Sequence, residues 1–472
     1  MSVLKDKNEK RNALIVAHWF SEELYTNQTY PIKNASEKLL THIYATGKPL
    51  RQHPKKHLAQ IEIFLVNVLM AYWNNDGFMA ISKASGEYTN SVVTYRVMVD
   101  LIIGSLKKSG WLVEHPGYFG GVVGFRTRIG LTELFVEWLE LAGIPPIDAK
   151  VKKPFRPVVI KSKNKKLMKI PIDLQQEARV MADQVQVFND HLEKTHLDIA
   201  ISADELEQLN SQMRRKAVAD QTRDSYLFLA KKYLQRKFNN GTLKDGGRFY
   251  NGWWINIPKE WRKYITINGY KTAELDYSGM HIKLLYAREQ KVLSGDPYDI
   301  GVMDDKFRAI TKLIFFTIFN ASSRQKALNA IRRNSKIKEY RNGKYPKGAR
   351  NFDQYLALIE KAHKPISKYF CSGYGIKLQA LDSKIIESVM KRMLSEYQVV
   401  TLPIHDSLIV DARYAKNLHE IMLEEFKNFT GGECEVKQKP LANYDDDRLS
   451  KLSKGYLVRA TTGGNSSLKG LR

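Results

Sequence analysis

Along Tyr270-Lys271-Thr272-Ala273-Glu274-Leu275-Asp276-Tyr277-Ser278-Gly279-Met280-His281 the hydrophobic period changes midway. From Tyr270 to Leu275 polar and apolar residues alternate, Thr272 and Glu274 against Ala273 and Leu275, the period of a half-buried strand. After Asp276 the apolar residues recur at helical spacing: Met280, Leu284 and Ala287 form one set, Ile282 and Leu285 another. Asp276 therefore sits at a strand-to-helix switch, with Ser278 as the expected helix N-cap. A second stretch, Leu402-Pro403-Ile404-His405-Asp406-Ser407-Leu408-Ile409-Val410, has apolar runs on both sides of His405-Asp406. It predicts a buried hairpin with a charged residue at its tight turn. An aspartate between two apolar strands is costly unless paired or metal-bound. The two aspartates are expected to meet and to hold divalent metal.

Between them lies Arg308-Ala309-Ile310-Thr311-Lys312-Leu313-Ile314-Phe315-Phe316. On a helix Arg308, Lys312 and Phe316 fall four apart along one face. Two cations and an aromatic on one stripe suit a nucleoside triphosphate, with charges for phosphates and a ring for base or sugar. Taken alone, the helix also reads as amphipathic, with basic residues outside and phenylalanines in the core.

In this order the three stretches resemble the family A (DNA polymerase I-like) and phage-type single-subunit polymerases. Asp-Tyr-Ser begins the family's motif A, R-x3-K-x3-F is its motif B, and His-Asp is the core of motif C. Gln379-Ala380-Leu381-Asp382-Ser383-Lys384-Ile385-Ile386 resembles the QGTAADII segment ahead of motif C. Asn256-Ile257-Pro258 resembles the NIP element ahead of motif A. The resemblance runs from about Gly246 to Leu441, less than half of the chain.

The resemblance implies an α+β right-hand polymerase, with a palm sheet, helical fingers and a helical thumb. It implies that Asp276 and Asp406, with the Tyr277 backbone carbonyl, hold two Mg²⁺ ions, with Mn²⁺ as a substitute; such paired ions stand about 3.5–4 Å apart. Mg²⁺ is hard and prefers oxygen ligands. Arg308 and Lys312 would neutralise the β- and γ-phosphates during catalysis, and Phe316 would stack on the incoming nucleotide. Gln379 and His405 would contact primer or template near the terminus. Three departures concern the sugar. Gly279-Met280-His281 stands where the family's DNA polymerases usually have Gln-Ile-Glu, so His281 occupies the place of the steric gate against ribose. Asn320-Ala321 replaces the Tyr-Gly that ends motif B. Ser407 follows His-Asp, as in phage-type RNA polymerases, where DNA polymerases usually have glutamate. Sugar choice is therefore open between DNA, RNA and mixed strands.

The 472 residues are 43% hydrophobic, enough for two or three domains with their own cores. A net charge of +25 predicts a polyanionic partner, nucleic acid first and acidic membrane second. No apolar run approaches a membrane span, and Met1 to Arg11 is charged without an apolar signal core. Cys371 and Cys434 are too few for a disulfide framework or a cysteine-built zinc site. A cytoplasmic protein without a membrane partner is expected.

Residues 1–145 are expected to form one small domain. Gln60 to Trp73 and Tyr95 to Lys108 are helical patterns. Gly110 to His115 reads as a strand, Pro116 to Gly124 as a glycine-rich turn, and Phe125 to Ile129 as a returning strand. Helix, helix, hairpin is similar to the order of winged-helix DNA-binding domains, which lay a helix in the major groove and a wing on the backbone. Arg96, Lys107, Lys108, Arg126 and Arg128 are then candidate phosphate contacts; a structural or protein-binding winged helix is the alternative. Residues 146–175, rich in Lys and Arg with Pro154 and Pro157, read as an extended basic linker. Residues 176–245 are expected as a helical, thumb-like region, 246–441 as palm and fingers, and 442–472 as a basic tail. Trp253, Trp254 and Trp261, beside basic residues, suit base stacking or core packing. Arg324 to Arg350 reads as an exposed fingers insertion near template.

The functional expectation is a template-directed DNA polymerase using DNA primer–template and nucleoside triphosphates. The N-terminal region lacks a convincing acidic metal set, so no proofreading is expected. A small RNA polymerase or primase is the first alternative. A DNA-binding replication initiator with an inactive polymerase fold is the second. The pairing of domains suits a replication protein of a plasmid, phage or other mobile element.

Overall fold

The computed structural model describes residues 17–26, 29–47, 53–74, 77–88, 91–119, 124–144, 149–152, 156–220, 225–301 and 305–440. The expected basic tail and the Met1–Arg11 segment lie outside them. The architecture is mixed α+β, with helices packed on several antiparallel-dominated sheets.

The N-terminal unit begins with helices Thr29–Thr46 and Pro54–Asn74. Pro54 opens the second, where its missing N–H would have had no partner anyway. Strand Phe78–Ile81 follows, then a helix of π character over Arg96–Ile103 that continues as α-helix through Gly104–Lys108. Its apolar side, Val97, Met98, Leu101 and Ile102, is buried. Edge to edge, the sheet runs His18–Trp19, Phe78–Ile81, Thr127–Leu131, Leu112–His115. The expected hairpin is present: Leu112 pairs with Leu131 and His115 with Arg128, antiparallel. The middle of its connection falls outside the described residues.

The segment expected as an extended linker is instead paired. Ala149–Val151 lies against Leu24–Thr26. Val158–Lys161 pairs with Leu167–Met168 and, in parallel, with Gln235–Phe238, which pairs with Gly246–Tyr250. The cause is Val158-Val159-Ile160, a short apolar run among the cations that is wholly buried, two of its members in a small core with Phe238 and Leu243. The region expected to be helical and thumb-like holds strands as well as helices. Its helices, Gln175–Lys194 and Ala203–Asp220, are present. Strand Leu197–Ile199 between them belongs to the central sheet, however, and Gln235–Phe238 to the sheet just described.

The central sheet runs Leu197–Ile199, Ile265–Ile267, Tyr270–Tyr277, Ser407–Asp411, Leu402–Ile404, with Val436–Gln438 also paired to Tyr270–Tyr277. Ala273, Leu275 and Tyr277 point into the core, where they are 0–2% exposed, while Glu274 and Asp276 are only partly buried. That period of two puts both carboxylates on one face. Helices Gly375–Tyr397 and Ala415–Thr430 complete the surroundings of the sheet. Tyr277 fixes the second of them, donating its hydroxyl to the Met422 carbonyl at 2.6 Å. Of the two uses expected for the three tryptophans, core packing is the one observed: all are buried. Trp254 Nε1 donates to the Pro403 carbonyl at 3.2 Å, and Trp261 Nε1 to Gln212 Oε1 at 2.8 Å.

Candidate active site

Asp276 stands at the end of its strand, with its Cα opposite Ser407, and Asp406 is the residue just before Ser407 in the hairpin turn. The Tyr277 N–H donates to the Asp406 carbonyl at 3.4 Å, so the two acidic residues are neighbours across adjoining strands. His405 makes the two-residue turn possible by adopting φ +57°, the left-handed region, and leaves its ring exposed at the rim. Burial, then the charge of Asp406, push the Asp276 carboxyl up to about 6 from 3.8. Among the described residues neither carboxylate receives a hydrogen bond. Partly buried acids without donors are poorly solvated unless a cation joins them.

The two strands alone do not provide a complete metal cage. No group of three or more His, Cys, Asp or Glu placed to hold a metal occurs among the described residues. Two carboxylates and a main-chain carbonyl still fit Mg²⁺, which usually takes one or two protein carboxylates and completes its shell with water and substrate phosphates. The donor chemistry of Asp276, Asp406 and the Tyr277 carbonyl is therefore suitable for a hard cation that shares a phosphorylated substrate. Glu274, on the same face, is otherwise engaged. It accepts from Ser407 Oγ at 3.1 Å, pairs with Lys439, and lies 3.6 Å from Arg262.

After Asp276 the chain turns sharply. Gly279 (φ +64°) caps the Met280–Arg288 helix, in place of the expected Ser278. A Cβ on Gly279 would come within 2.5 Å of Pro297 Cγ, so glycine is needed both for the turn and for close approach. This contact brings Asp296-Pro297-Tyr298 against the site. Burial, then Asp406 and Asp276, raise the Tyr298 phenol well above its ordinary range.

Arg308, Lys312, Phe316 and Asn320 share the outward face of the Asp305–Asn320 helix. Ile310, Ile314, Phe315, Ile318 and Phe319 are buried on the other. Phe316 is 67% exposed, an unusual position for a large aromatic. The Arg308 guanidinium and the Lys312 ammonium lie 5.4 and 5.6 Å from the Tyr298 ring centroid. Arg308 is also gripped by Asp296 through two hydrogen bonds, one of them 3.1 Å. Asn320 donates to the Phe316 carbonyl at 2.7 Å, and its side chain abuts Gly375.

His281 is held in a charged knot that sequence reading missed. Its Nε2 lies 2.8 Å from Asp382 Oδ2 and 3.2 Å from an Arg248 Nη. Arg248 also donates to both Asp382 oxygens, at 3.1 Å from Nε. Asp382 is fully buried and the three residues come from three different elements. Gln379 lies one turn ahead of Asp382 on the Gly375–Tyr397 helix. A signal for Asp382 existed: it interrupts the apolar stripe of Leu378, Ile385, Ile386 and Val389.

The N-terminal candidates separate into three groups. Arg96 and Lys108 are exposed. Lys107 pairs with Glu114, which also binds Lys83 at 2.8 Å, and Arg126 pairs with Glu87 at 2.7 Å. Arg128 is corrected as a phosphate contact. It is 4% exposed, donates to the Arg126 carbonyl at 2.7 Å and lies over the Trp19 ring. Burial pushes its guanidinium down to about 10.

No family model and no curated protein matches this chain. Among solved structures it is similar to the POL domain of Pol1 from M. smegmatis in complex with DNA primer-template and dNTP. Identity is 13%, the TM-score is 0.27, and the match covers 56% of this chain and 65% of that one. No helix among the described residues is long and apolar enough to cross a membrane.

Proposed function

We propose that this chain is a template-directed nucleotidyltransferase, a DNA polymerase of family A type without proofreading, built as palm, fingers and thumb behind a winged-helix DNA-binding unit. The observation that carries this reading is the meeting of Asp276 and Asp406 at one strand end, faced by the Arg308–Lys312–Phe316 stripe. Two acids that accept no hydrogen bond among the described residues, an exposed lysine, an arginine held at their edge by Asp296 and an exposed ring serve a metal-bound triphosphate better than they serve a fold. In this reading two Mg²⁺ ions sit on Asp276, Asp406 and the Tyr277 carbonyl. When bound, they would lower the pKa of a primer 3′-hydroxyl and offset charge on the departing pyrophosphate.

The chain's own residues do the rest. Arg308 and Lys312 hold the β- and γ-phosphates and balance charge that grows there. Phe316 covers the base or sugar. His281, fixed by Asp382 and Arg248, forms the sugar-side wall, with Asn320 at the far end of the stripe. Gln379 and His405 face primer or template. Ribonucleotide use is the second reading, supported by His281 in place of a glutamate and by Ser407, whose hydroxyl is turned to Glu274. The helix–hairpin order of the N-terminal unit supports a winged helix that tethers DNA. A cytoplasmic replication protein fits these parts.

The test is primer extension on a DNA template with Mg²⁺, comparing dNTPs with NTPs and including a lane without primer. Extension with dNTPs alone is expected, with a loss of at least about 10³-fold in D406A from the missing metal ligand. Duplex DNA binding should survive in D406A. Products without primer would move the reading to a primase. Synthesis surviving the double variant D276A/D406A would end the two-aspartate assignment.

A further inference from the structure

A helical corner beside the Asp305–Asn320 helix carries a dense run of positive charge. Residues 322–350 contain ten Lys or Arg and one Glu, a net +9 out of the chain's +25. The corner is made by helices Arg324–Arg333 and Ser335–Arg341, which meet at Asn334, the C-cap of one and N-cap of the other. Ala327, Leu328, Ile331 and Ile337 anchor it in the main core. Two of the ten cations hold the fold: Arg324 pairs with Asp353 and Glu360, and Arg341 lies over Tyr345 and Phe352. The other eight, Lys326, Arg332, Arg333 and Lys336 among them, are exposed and make no ion pair among the described residues.

Helix electrostatics do not account for this. Cations stabilise a helix C-terminus and are unfavourable in a first turn. Arg332 and Arg333 obey that rule. Lys326 and Lys336 oppose it, and neither helix has an acid in its first turn. Crowded like charges of this kind are relieved by a polyanion.

Direction along the neighbouring helix selects the polyanion. The outward stripe of Asp305–Asn320 has its cations first and Phe316 and Asn320 last, over about 18 Å at 1.5 Å per residue. A nucleotide lying on it has its phosphates toward Arg308 and its base toward Asn320. The basic corner starts four residues beyond Asn320 and packs back on that same helix. It thus adjoins the end where a templating base must be presented. We infer that the exposed cations of residues 326–350 bind the backbone of the single-stranded template before it enters the site. This rests on the polymerase reading for its orientation, and its test needs no catalysis.

The variant K326Q/R332Q/R333Q/K336Q removes four exposed charges and should melt like the parent chain. Binding of a labelled primer–template with a 5′ overhang of about 12 nucleotides, within the range of single-strand sites, is compared with the blunt duplex by anisotropy over a salt series. The parent chain should bind the overhang about tenfold more tightly, and the variant within about twofold of blunt duplex. The salt slope on the overhang should fall by about 2–3, at about 0.7 per lost single-strand contact. An unchanged overhang preference and slope overturn the inference, as does a parent chain with no overhang preference. Equal losses on overhang and blunt duplex make the corner a duplex contact instead. Absent primer extension with this binding pattern intact would count against the polymerase reading alone.

Discussion

The strand end at Asp276 and the hairpin at Leu112–Leu131 use charge in opposite ways. In the N-terminal unit three of the five candidate cations have an internal answer, Glu114 for Lys107, Glu87 for Arg126, a carbonyl and Trp19 for Arg128, while Arg96 and Lys108 are exposed. At the strand end two neighbouring carboxylates accept no hydrogen bond among the described residues, and they face a stripe with an exposed ring. Paired charge belongs to the economy of the fold. Charge left uncompensated at a partly buried site raises the energy of the free protein and is explained by what binds there. The knot at Asp382 is the intermediate case, buried and fully answered yet adjoining the open pair.

The largest expected contrast is between removing an open charge and removing an answered one. D382A leaves Arg248 buried without its partner, a loss of about 3–5 kcal/mol for a broken buried pair. D276N should act the other way. Asp276 has a folded-state pKa of about 6 against 3.8, so the folded protein holds a proton that the unfolded chain releases. Its penalty is absent below about pH 4, grows up to about pH 6 and persists above. At about 1.4 kcal/mol per unit, D276N should stabilise the metal-free protein by about 2–3 kcal/mol at neutral pH and by little at pH 4. Denaturant unfolding without divalent metal at both pH values checks this. A destabilised D276N at neutral pH would mean that the carboxylate is answered after all.

A smaller effect is expected at Asp296, where an open cation has been given a temporary answer. The carboxylate takes the Nε side of Arg308, the same guanidinium that faces the Tyr298 ring. A triphosphate must compete with it. D296N should therefore lower KM for nucleotide about three- to tenfold, worth about 1 kcal/mol for a partly exposed pair, while kcat changes little. A raised KM would instead make Asp296 a support that aims Arg308.

Much of the site was readable because it rests on short-range periods. Alternation through Leu275 and four-residue spacing from Arg308 to Phe316 are properties of single elements, and each held. What was not readable depends on contacts far apart in sequence. Arg248 and Asp382 are 134 residues apart, and only the packing of a helix over a sheet joins them. Nor could local pattern show that Gly279 lets Pro297 sit against the turn after Asp276. The strands inside the expected linker and the thumb-like region were missed for a related reason. Short strands such as Val158–Lys161 and Leu197–Ile199 gain their stability from partners dozens of residues away, so local charge and helical period outvoted them.

Effects of comparable size should come from the N-terminal unit, and they sharpen the same distinction. If exposed charge serves DNA and answered charge serves the fold, R96Q/K108Q and R128M must differ in kind. The double variant should weaken duplex binding about two- to tenfold and reduce the salt slope by about 2, at about 0.9 per phosphate contact. Its melting should be unchanged. R128M should keep the parent salt slope, because a buried guanidinium has no reach to phosphate. Its stability should shift instead, since methionine fills the space over Trp19 but donates nothing to the Arg126 carbonyl, about 1–2 kcal/mol for an abandoned buried acceptor. A salt slope lost in R128M would show that the strand opens on DNA and that Arg128 leaves Trp19 to meet the backbone. Two unchanged slopes would leave the hairpin without a role in DNA binding and assign that affinity to the basic corner and the central site.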